Sequence, residues 1–371
     1  MAGVNRAIGR LNRVRGKVIQ SSRNLADLVF DPTLSRSYWP DECRKSKTRI
    51  AAELLWWLTR HREINRYYYV YGLDRKTSAR ADEVLPYKKF RRIRNRANLR
   101  SREGPWSYVC ILRDKLLFAR VATSLNIPTP RVHAVLDSRS ITWLDRDEIE
   151  PLETLTQDPS RVLDGFCKPL AGIQGDGAFR LRLDHGRLLA AGAEITLDDL
   201  RRTLGGRYLL QQRVEQHPAM SALHATSLNT VRLITFCPHD HATLFCAAMR
   251  IGAHGKNVDN WAAGGLIVRI DPQRGELRDQ GFFKPGYGGR VTVHPDSGVP
   301  LEGYRIPYFR EAVQLVTRMH ERLHGIHSIG WDVGISPEGP IIIEGNDDWE
   351  GGIPMVLEPD FRRRFLQMYR E

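Results

Sequence analysis

What most narrows the fold of this chain is a hairpin near its end, where two β-type runs, Ile329 to Ile335 and Pro340 to Asn346, flank Pro337, Glu338 and Gly339. Turn residues between apolar runs specify a hairpin, and a glycine in the left-handed position permits a three-residue loop. With Ser336 facing Pro340, counting back along both strands sets Asp332 opposite Glu344, and Asn346, two residues on, shares that face. Two opposed carboxylates repel each other. A cation between them is therefore expected. Hard oxygen ligands of this kind suit Mg²⁺, which takes a few protein carboxylates and completes its shell with water and nucleotide phosphates. The plain alternative is an acidic sheet edge in water, against which Ile341, Ile342 and Ile343 argue for a buried strand.

At 371 residues, 42% hydrophobic and 9% aromatic, the chain can bury a substantial core, and two or three lobes are expected. No apolar run reaches bilayer-spanning length and the start, Met1 to Arg10, lacks the apolar core of a signal peptide, so a cytoplasmic protein is expected. Cys43, Cys110, Cys167, Cys237 and Cys246 are scattered without a C-x-x-C pair, which supports neither a disulfide framework nor a thiolate zinc site and reads as reduced core residues. The net charge of +13 attracts anions, whether nucleic acid, anionic lipid headgroups, a nucleotide or an acidic small molecule. The surplus gathers at Arg6, Arg10, Arg13, Arg15, Lys17 and Arg23, ahead of the first acid, Asp27, and again between Lys88 and Arg100. Solvated helix faces account for such runs as well as a partner does.

Apolar positions at helical spacing make residues 1–30 a basic amphipathic helix or helix pair. A second helix is expected from Asp41 to Tyr71, after Pro40 and before Gly72, and a basic segment over 86–102 ends at Gly104-Pro105. The boundary of an α-helical N-terminal lobe falls there, giving 1–105, then a domain over 106–355 and a C-terminal helix over 356–371. In the middle domain a helix over Asp114 to Leu125 precedes a series of strands: Val132 to Leu136, Gly165 to Leu170, Phe179 to Leu183, Arg187 to Ala191, Tyr208 to Val214, Thr230 to Phe236, Thr243 to Ile251 and Leu266 to Ile270, ahead of the hairpin. Helices are expected at 196–204 and 308–324. That order reads as α+β with mainly antiparallel sheet.

Several residues could carry chemistry. Lys168 ends a strand before a loop holding Gly172, Gly175 and Gly177, and glycines let successive backbone N–H groups turn toward an anion. The lysine precedes the glycines and a strand follows, so this is a hairpin lid rather than a Walker loop, with an ordinary glycine-rich turn as the alternative. Arg232 alternates with Thr230 and Ile234 on one strand face, and its planar fork suits phosphate or carboxylate, or equally a structural ion pair. The segment Asn257 to Leu266 has a polar tip, Asp259-Asn260, before a double glycine that would let a ligand approach the backbone. The histidines form no tight metal-ligand pattern and are assigned to surface or supporting roles, and no G-x-S-x-G elbow is present.

Taken together, Lys168 with its glycine loop, Leu210-Gln-Gln-Arg-Val-Glu-Gln-His217, Leu228-Asn-Thr-Val-Arg232, Val258-Asp-Asn-Trp-Ala-Ala-Gly-Gly265, His294-Pro-Asp-Ser-Gly298 and the hairpin resemble the ATP-grasp superfamily, in detail its sugar-transfer-associated branch. The resemblance runs over about 108–350. It implies an ATP-grasp fold, two antiparallel-sheet α+β subdomains sandwiching ATP, beside the helical N-terminal lobe. It further implies Lys168 and Lys115 on the phosphates under the loop of Gly172, Gly175 and Gly177. Gln212, Arg213 and Val214 would form the adenine hinge, with Glu215 or His217 on the ribose. Asp332, Glu344 and Asn346 would hold Mg²⁺, while Arg232 and Asn260 act with Lys168 on the reacting groups. The implied reaction is ligation: ATP activates a carboxylate as acyl phosphate for attack by an amine or similar nucleophile, in glycan or polysaccharide modification. A kinase that phosphorylates a sugar or other small acceptor would use the same machinery. A basic nucleic-acid or membrane-surface binding protein is the reading from a different class. The partners implied are a small-molecule acid and an amine or sugar-linked substrate rather than nucleic acid, with peripheral membrane contact through the basic N-terminus left open.

Overall fold

The computed structural model describes residues 24–78, 84–100, 106–170 and 177–369. Most of the expected N-terminal amphipathic helix, the Gly104-Pro105 boundary, and Gly172 and Gly175 lie outside the described residues. A short helix, α1 (24–30), opens the described chain. Helix α2 (Lys47–His61) begins where the Ser46 hydroxyl accepts from the Arg49 N–H, and stops where Arg62 turns left-handed at φ 55°. It is therefore shorter than the helix expected over Asp41 to Tyr71, because residues 62–72 run on through turns. The basic segment forms α3 (Tyr87–Asn98). Then come α4 (Cys110–Arg113) and α5 (Lys115–Ser124), the latter capped by the Asp114 carboxylate on the Leu117 N–H.

Among the described residues fifteen strands follow, broken by helices. The first eight are β1 (Val132–Leu136), β2 (Ser140–Trp143), β3 (Glu148–Pro151), β4 (Leu163–Pro169), β5 (Phe179–Asp184), β6 (Arg187–Ala190), β7 (Ala193–Ile195) and β8 (Tyr208–Gln212), with α6 (Thr154–Gln157) and α7 (Leu197–Thr203) among them. They make one antiparallel sheet, β3-β2-β1-β8-β4-β5-β6-β7. After α8 (Pro218–Leu223) come β9 (Thr230–Phe236), β10 (Thr243–Ile251), β11 (Leu266–Asp271), β12 (Glu276–Phe283) and β13 (Arg290–Val291). Helix α9 (Phe309–Arg322) then leads to β14 (Ser328–Ser336) and β15 (Gly339–Asn346), completing a second sheet, β13-β12-β11-β10-β9-β14-β15. The single C-terminal helix expected over 356–371 is instead two helices, α10 (Gly352–Leu357) and α11 (Phe361–Met368).

The seven-stranded sheet is buried on both faces, which is why its strands read as apolar runs. Val231, Leu233, Met249, Trp331 and Val333 pack with α5 and α9 on one face. Ile234, Phe236, Cys246, Ala248 and Ile267 face the other way and share a core with Leu54, Tyr71 and Phe90 of the N-terminal segment and Phe361 and Phe365 of α11. The described residues between Leu28 and Leu73 and from Leu85 to Phe90 thus complete the sheet's second layer. The eight-stranded sheet has its own small core, built around Leu136, Leu181, Leu200 and Leu210. Among the described residues no helix is long and apolar enough to cross a membrane. Cys167 and Cys246 are buried as expected, whereas Cys43 and Cys110 are exposed.

The hairpin corrects one expectation while keeping its consequence. Ser336 pairs with Gly339, not Pro340, so the turn is the two residues Pro337 and Glu338. The Ser336 hydroxyl tightens it, donating toward the Glu338 carboxylate at 2.8 Å and accepting from the Glu338 N–H at 3.2 Å, with Gly339 at φ 136°. A register shift between Asp332 and Val333 then restores the pairing of Asp332 with Glu344 and of Gly330 with Asn346.

Candidate active site

On the face of the seven-stranded sheet shared with the N-terminal segment, four neighbouring strands put charged groups where the apolar pattern breaks. Asp332 pairs with Glu344 on one side and with Arg232 on the other, and Arg232 pairs with Ala248 of β10. The expected repulsion between Asp332 and Glu344 is relieved by the protein itself. The Arg232 guanidinium contacts Asp332 at 2.7 and 3.0 Å, and Arg250 reaches the same carboxylate at 2.9 Å. Arg250 also donates to Asp259 at 2.9 Å, and Asp259 accepts the Thr230 N–H at 3.0 Å and the Thr230 hydroxyl. Burial pushes the Asp332 carboxyl up, but Arg232 and Arg250 outweigh it and hold it below the usual carboxylate range. Asp259 goes the other way: its burial and the nearby Asp332 charge exceed what Arg250 and Thr230 offset, so its carboxyl is raised. Arg250, held by both acids, is held more firmly protonated than usual despite its burial.

Two backbone positions make this possible. A Cβ on Gly330 would lie 2.5 Å from the Trp349 Cβ and 3.2 Å from Arg232 Nη1, so glycine there leaves room for the guanidinium between strand and Trp349. A Cβ on Gly265 would meet the Asp259 carbonyl oxygen at 2.4 Å. Glycine at 265 therefore lets the loop fold back against Asp259.

The eight-stranded sheet supplies Lys168 at the end of β4, paired with Leu209 of β8 and with its ammonium 5.7 Å from the Phe166 ring. Lys115, in the first turn of α5, enters the same field. Burial pushes both ammonium groups below their ordinary value and Glu344 pulls each of them up, while Lys115 presses Lys168 further down and Asp332 and Asp259 act on it in the other direction. Lys115, Lys168, Arg232, Arg250, Asp332, Glu344 and Asp259 therefore converge from two sheets and a helix. Their donor set fits a polyphosphate, because four cations, Lys115, Lys168, Arg232 and Arg250, meet three carboxylates, Asp332, Glu344 and Asp259, which leaves positive charge for an anion. It fits a hard cation beside it as well, since Asp332, Glu344 and Asn346 put oxygens on one face and the Asn346 amide donates to Glu344 at 3.2 Å, leaving its own oxygen to accept.

The remaining expected residues lie around this centre. Gln212 closes β8, and its N–H is already taken by the Arg131 carbonyl at 2.8 Å. Strand β8 ends at Gln212, two residues earlier than expected. Glu215 is exposed, and His217 caps α8 by accepting from the Ala219 N–H at 3.1 Å. Asn260 caps a short 3₁₀ turn through the Ala262 N–H at 3.0 Å, next to Asp259. Gly177 sits at φ 74°, 3.3 Å from the Pro169 ring and the Tyr208 hydroxyl where a Cβ would be. Two site residues were missed by sequence reasoning, Arg250 and the glycine at 330. A lone arginine inside the apolar run Thr243 to Ile251 was the available signal for Arg250. His224, His294 and His320 are buried and hydrogen-bonded to Ser227, Gly252 and Thr235, so they are structural.

An antiparallel sheet carrying a lysine against a second sheet that carries an Asp–Glu–Asn hairpin defines the ATP-grasp class. The chain belongs to the sugar-transfer associated ATP-grasp family, which matches residues 94–368. It is similar to a RimK domain ATP-grasp protein from Sphaerobacter thermophilus, with 13% identity over 68% of this chain and 70% of that one and a TM-score of 0.34. D-alanyl-alanine synthetase A from Vibrio cholerae gives 12%, 72% and 66%, with a TM-score of 0.40. N5-carboxyaminoimidazole ribonucleotide synthetase from Thermotoga maritima gives 12%, 71% and 49%, with a TM-score of 0.35. The chain spans 43% of an L-amino acid ligase from Bacillus licheniformis and 70% of the Sphaerobacter protein, so it covers only part of the length of these structures. No curated protein matches the chain.

Proposed function

We propose that this chain is an ATP- and Mg²⁺-dependent ligase that activates a substrate carboxylate as an acyl phosphate for attack by an amine or similar nucleophile, on a glycan-related substrate. The observation that carries the reading is the Arg232–Asp332–Arg250 network on the sheet face, with Asp332 in register with Glu344 and the Asn346 amide on Glu344, and with Lys115 and Lys168 in the field of Glu344. Lys115 and Lys168 would bind the phosphates of ATP, their burial making each charge count for more than it would in water. Glu344, Asn346 and the Oδ2 of Asp332, whose Oδ1 is taken by both arginines, would hold Mg²⁺, which when bound would neutralise phosphate charge. Arg232, anchored by Asp332 so that its fork is fixed before substrate arrives, would steady the transferring phosphoryl group. Asn260, next to the buried Asp259, would position the second substrate. The N-terminal segment, packed on the same sheet face, would close one side to water.

Phosphate release from MgATP, screened across carboxylic acids with hydroxylamine as trap, tests the reading. Acid-stimulated release with hydroxamate formation is the expected outcome. Turnover without hydroxamate from any acid would reassign the protein to the kinase reading, and unchanged ATP binding in Lys168→Ala would remove the ATP site from where we place it.

A further inference from the structure

Helix α2 carries a face that nothing among the described residues covers. Its inward side buries Ile50, Leu54 and Trp57. Its outward side lines up Thr48, Ala52, Leu55, Trp56 and Thr59 at helical spacing, and Leu55 and Trp56 are 51% and 54% exposed. An exposed leucine alone is ordinary, but a neighbouring leucine and tryptophan on an unpartnered stripe are not. The flanks are basic. Lys47, Arg49, Arg60 and Arg62 are exposed along α2 and its end, and Lys88 of α3 donates to the Arg62 carbonyl, which brings the basic start of α3 alongside. The His61 ring, 5.8 Å from Trp56 and 4.6 Å from Trp57, marks where these charges meet. Burial lowers its pKa, Glu63 raises it, and Arg60, Lys89 and Arg362 lower it further. The nearby acids are committed inward: Glu53 to Lys45, Arg49 and Tyr68, and Glu63 to the N–H groups of Tyr87 and Lys88.

We propose that this face docks on an anionic lipid surface, with Leu55 and Trp56 entering the headgroup boundary and Arg60, Lys88, Lys89 and Arg362 pairing with lipid phosphates. Charge complementarity selects the occupant. A second copy of the chain would bring the same cations face to face. A polyanion without an apolar layer would leave Leu55 and Trp56 unused, whereas tryptophan beside arginine and lysine is what an interfacial helix presents to a bilayer. The site on the sheet plays no part in the proposal, so it stands or falls apart from the ligase reading.

The test is co-sedimentation of the full chain with vesicles of phosphatidylcholine alone and with vesicles also containing phosphatidylglycerol, at low and physiological salt. Binding to the anionic vesicles only, weakened by salt, is expected. Replacing Arg60 and Lys89 by glutamine should weaken it by about fivefold per charge removed, and Leu55→Ala with Trp56→Ala by about tenfold or more. Both side chains are exposed, so the thermal midpoint should stay at the wild-type value, which keeps the readout free of misfolding. The decisive comparison is the Leu55→Ala, Trp56→Ala double variant, which leaves every basic residue of the chain in place. If it binds anionic vesicles as tightly as wild type, the attraction is a charge effect that any polyanion would elicit and the proposal is overturned. Equal binding to neutral vesicles, or no binding to either, overturns it as well.

Discussion

Replacing Arg250 by methionine isolates the buried network from packing, because the new side chain fills much of the same volume. Arg250 is 8% exposed and donates to Asp332 and Asp259 at 2.9 Å each. Removing it strips two charge-assisted hydrogen bonds and leaves two buried carboxylates with only Arg232 and Thr230 between them. Breaking a buried ion pair on one side costs about 3–5 kcal/mol. The pH dependence gives the loss a signature. In wild type, the lowered Asp332 contributes stability present above its unfolded pKa, while the raised Asp259 contributes in the opposite sense. Without Arg250 both native carboxyls should titrate above their unfolded value near about 4, so the native state binds more protons than the unfolded chain and its stability falls as pH rises. The gap between variant and wild type should therefore be widest at pH 8 and narrow toward pH 5. Urea unfolding at both values, followed by circular dichroism, reads this directly, and Asp259→Asn added to Arg250→Met should recover part of the loss. A cost under about 1 kcal/mol, with the same gap at both pH values, would falsify the network argument.

Three further outcomes are expected. Lys168→Ala should abolish the upward shift of the thermal midpoint caused by MgATP while leaving the midpoint of the free protein unchanged or raised, because a desolvated cation has been removed. Gly265→Ala should cost about 2–3 kcal/mol and displace Asp259, seen as lost MgATP binding, since its Cβ would stand 2.4 Å from the Asp259 carbonyl oxygen. His320 is buried against Thr235 and the Ile326 carbonyl, and burial drives its pKa down to about 4. The unfolded chain then binds the extra proton first, so about 3 kcal/mol of stability is lost as pH falls from about 6.5 to 4, and urea midpoints for His320→Gln should lack that slope.

The sequence made the fold most legible where burial was two-sided and the strands long. Strands such as Thr230 to Phe236 and Thr243 to Ile251 stand within the bounds read from the sequence, because both of their faces are buried and apolar residues dominate each run. The strands β3, Glu148–Pro151, and β7, Ala193–Ile195, are short edge strands and passed unnoticed, as did β2 and β13, and the longer β12, Glu276–Phe283, was missed because charged and polar residues dominate its first half. The hairpin register was reached through two cancelling errors, a loop one residue too long and a bulge not foreseen; nothing local marks the position of the bulge. The helix over Asp41 to Tyr71 was overdrawn because residues 62–72 keep an apolar content that suits buried turns as well as a helix. Arg250 stayed hidden because single-strand alternation shows which face a residue takes but not which acids two strands away wait for it.

Those faces bear on what the N-terminal segment does. Along β9, Thr230 and Arg232 belong to the site, and Ile234 and Phe236, on the same face, belong to the core shared with the described residues between Leu28 and Phe90. Site and N-terminal layer are therefore neighbours on one surface, separated by the single step at which Trp349 packs beside Gly330 and Arg232. Arg94 reaches that step as well, donating to the Trp349 carbonyl and pairing with Asp348. A sheet face cannot be half charged and half dry unless something seals the border. Phe90, 5.0 Å from Trp349 and 5.0 Å from Phe365, does so from the N-terminal side. In the proposed reading the helical segment would exclude water from behind Arg232, and a lower dielectric there would strengthen the grip of Arg232 and Arg250 on Asp332.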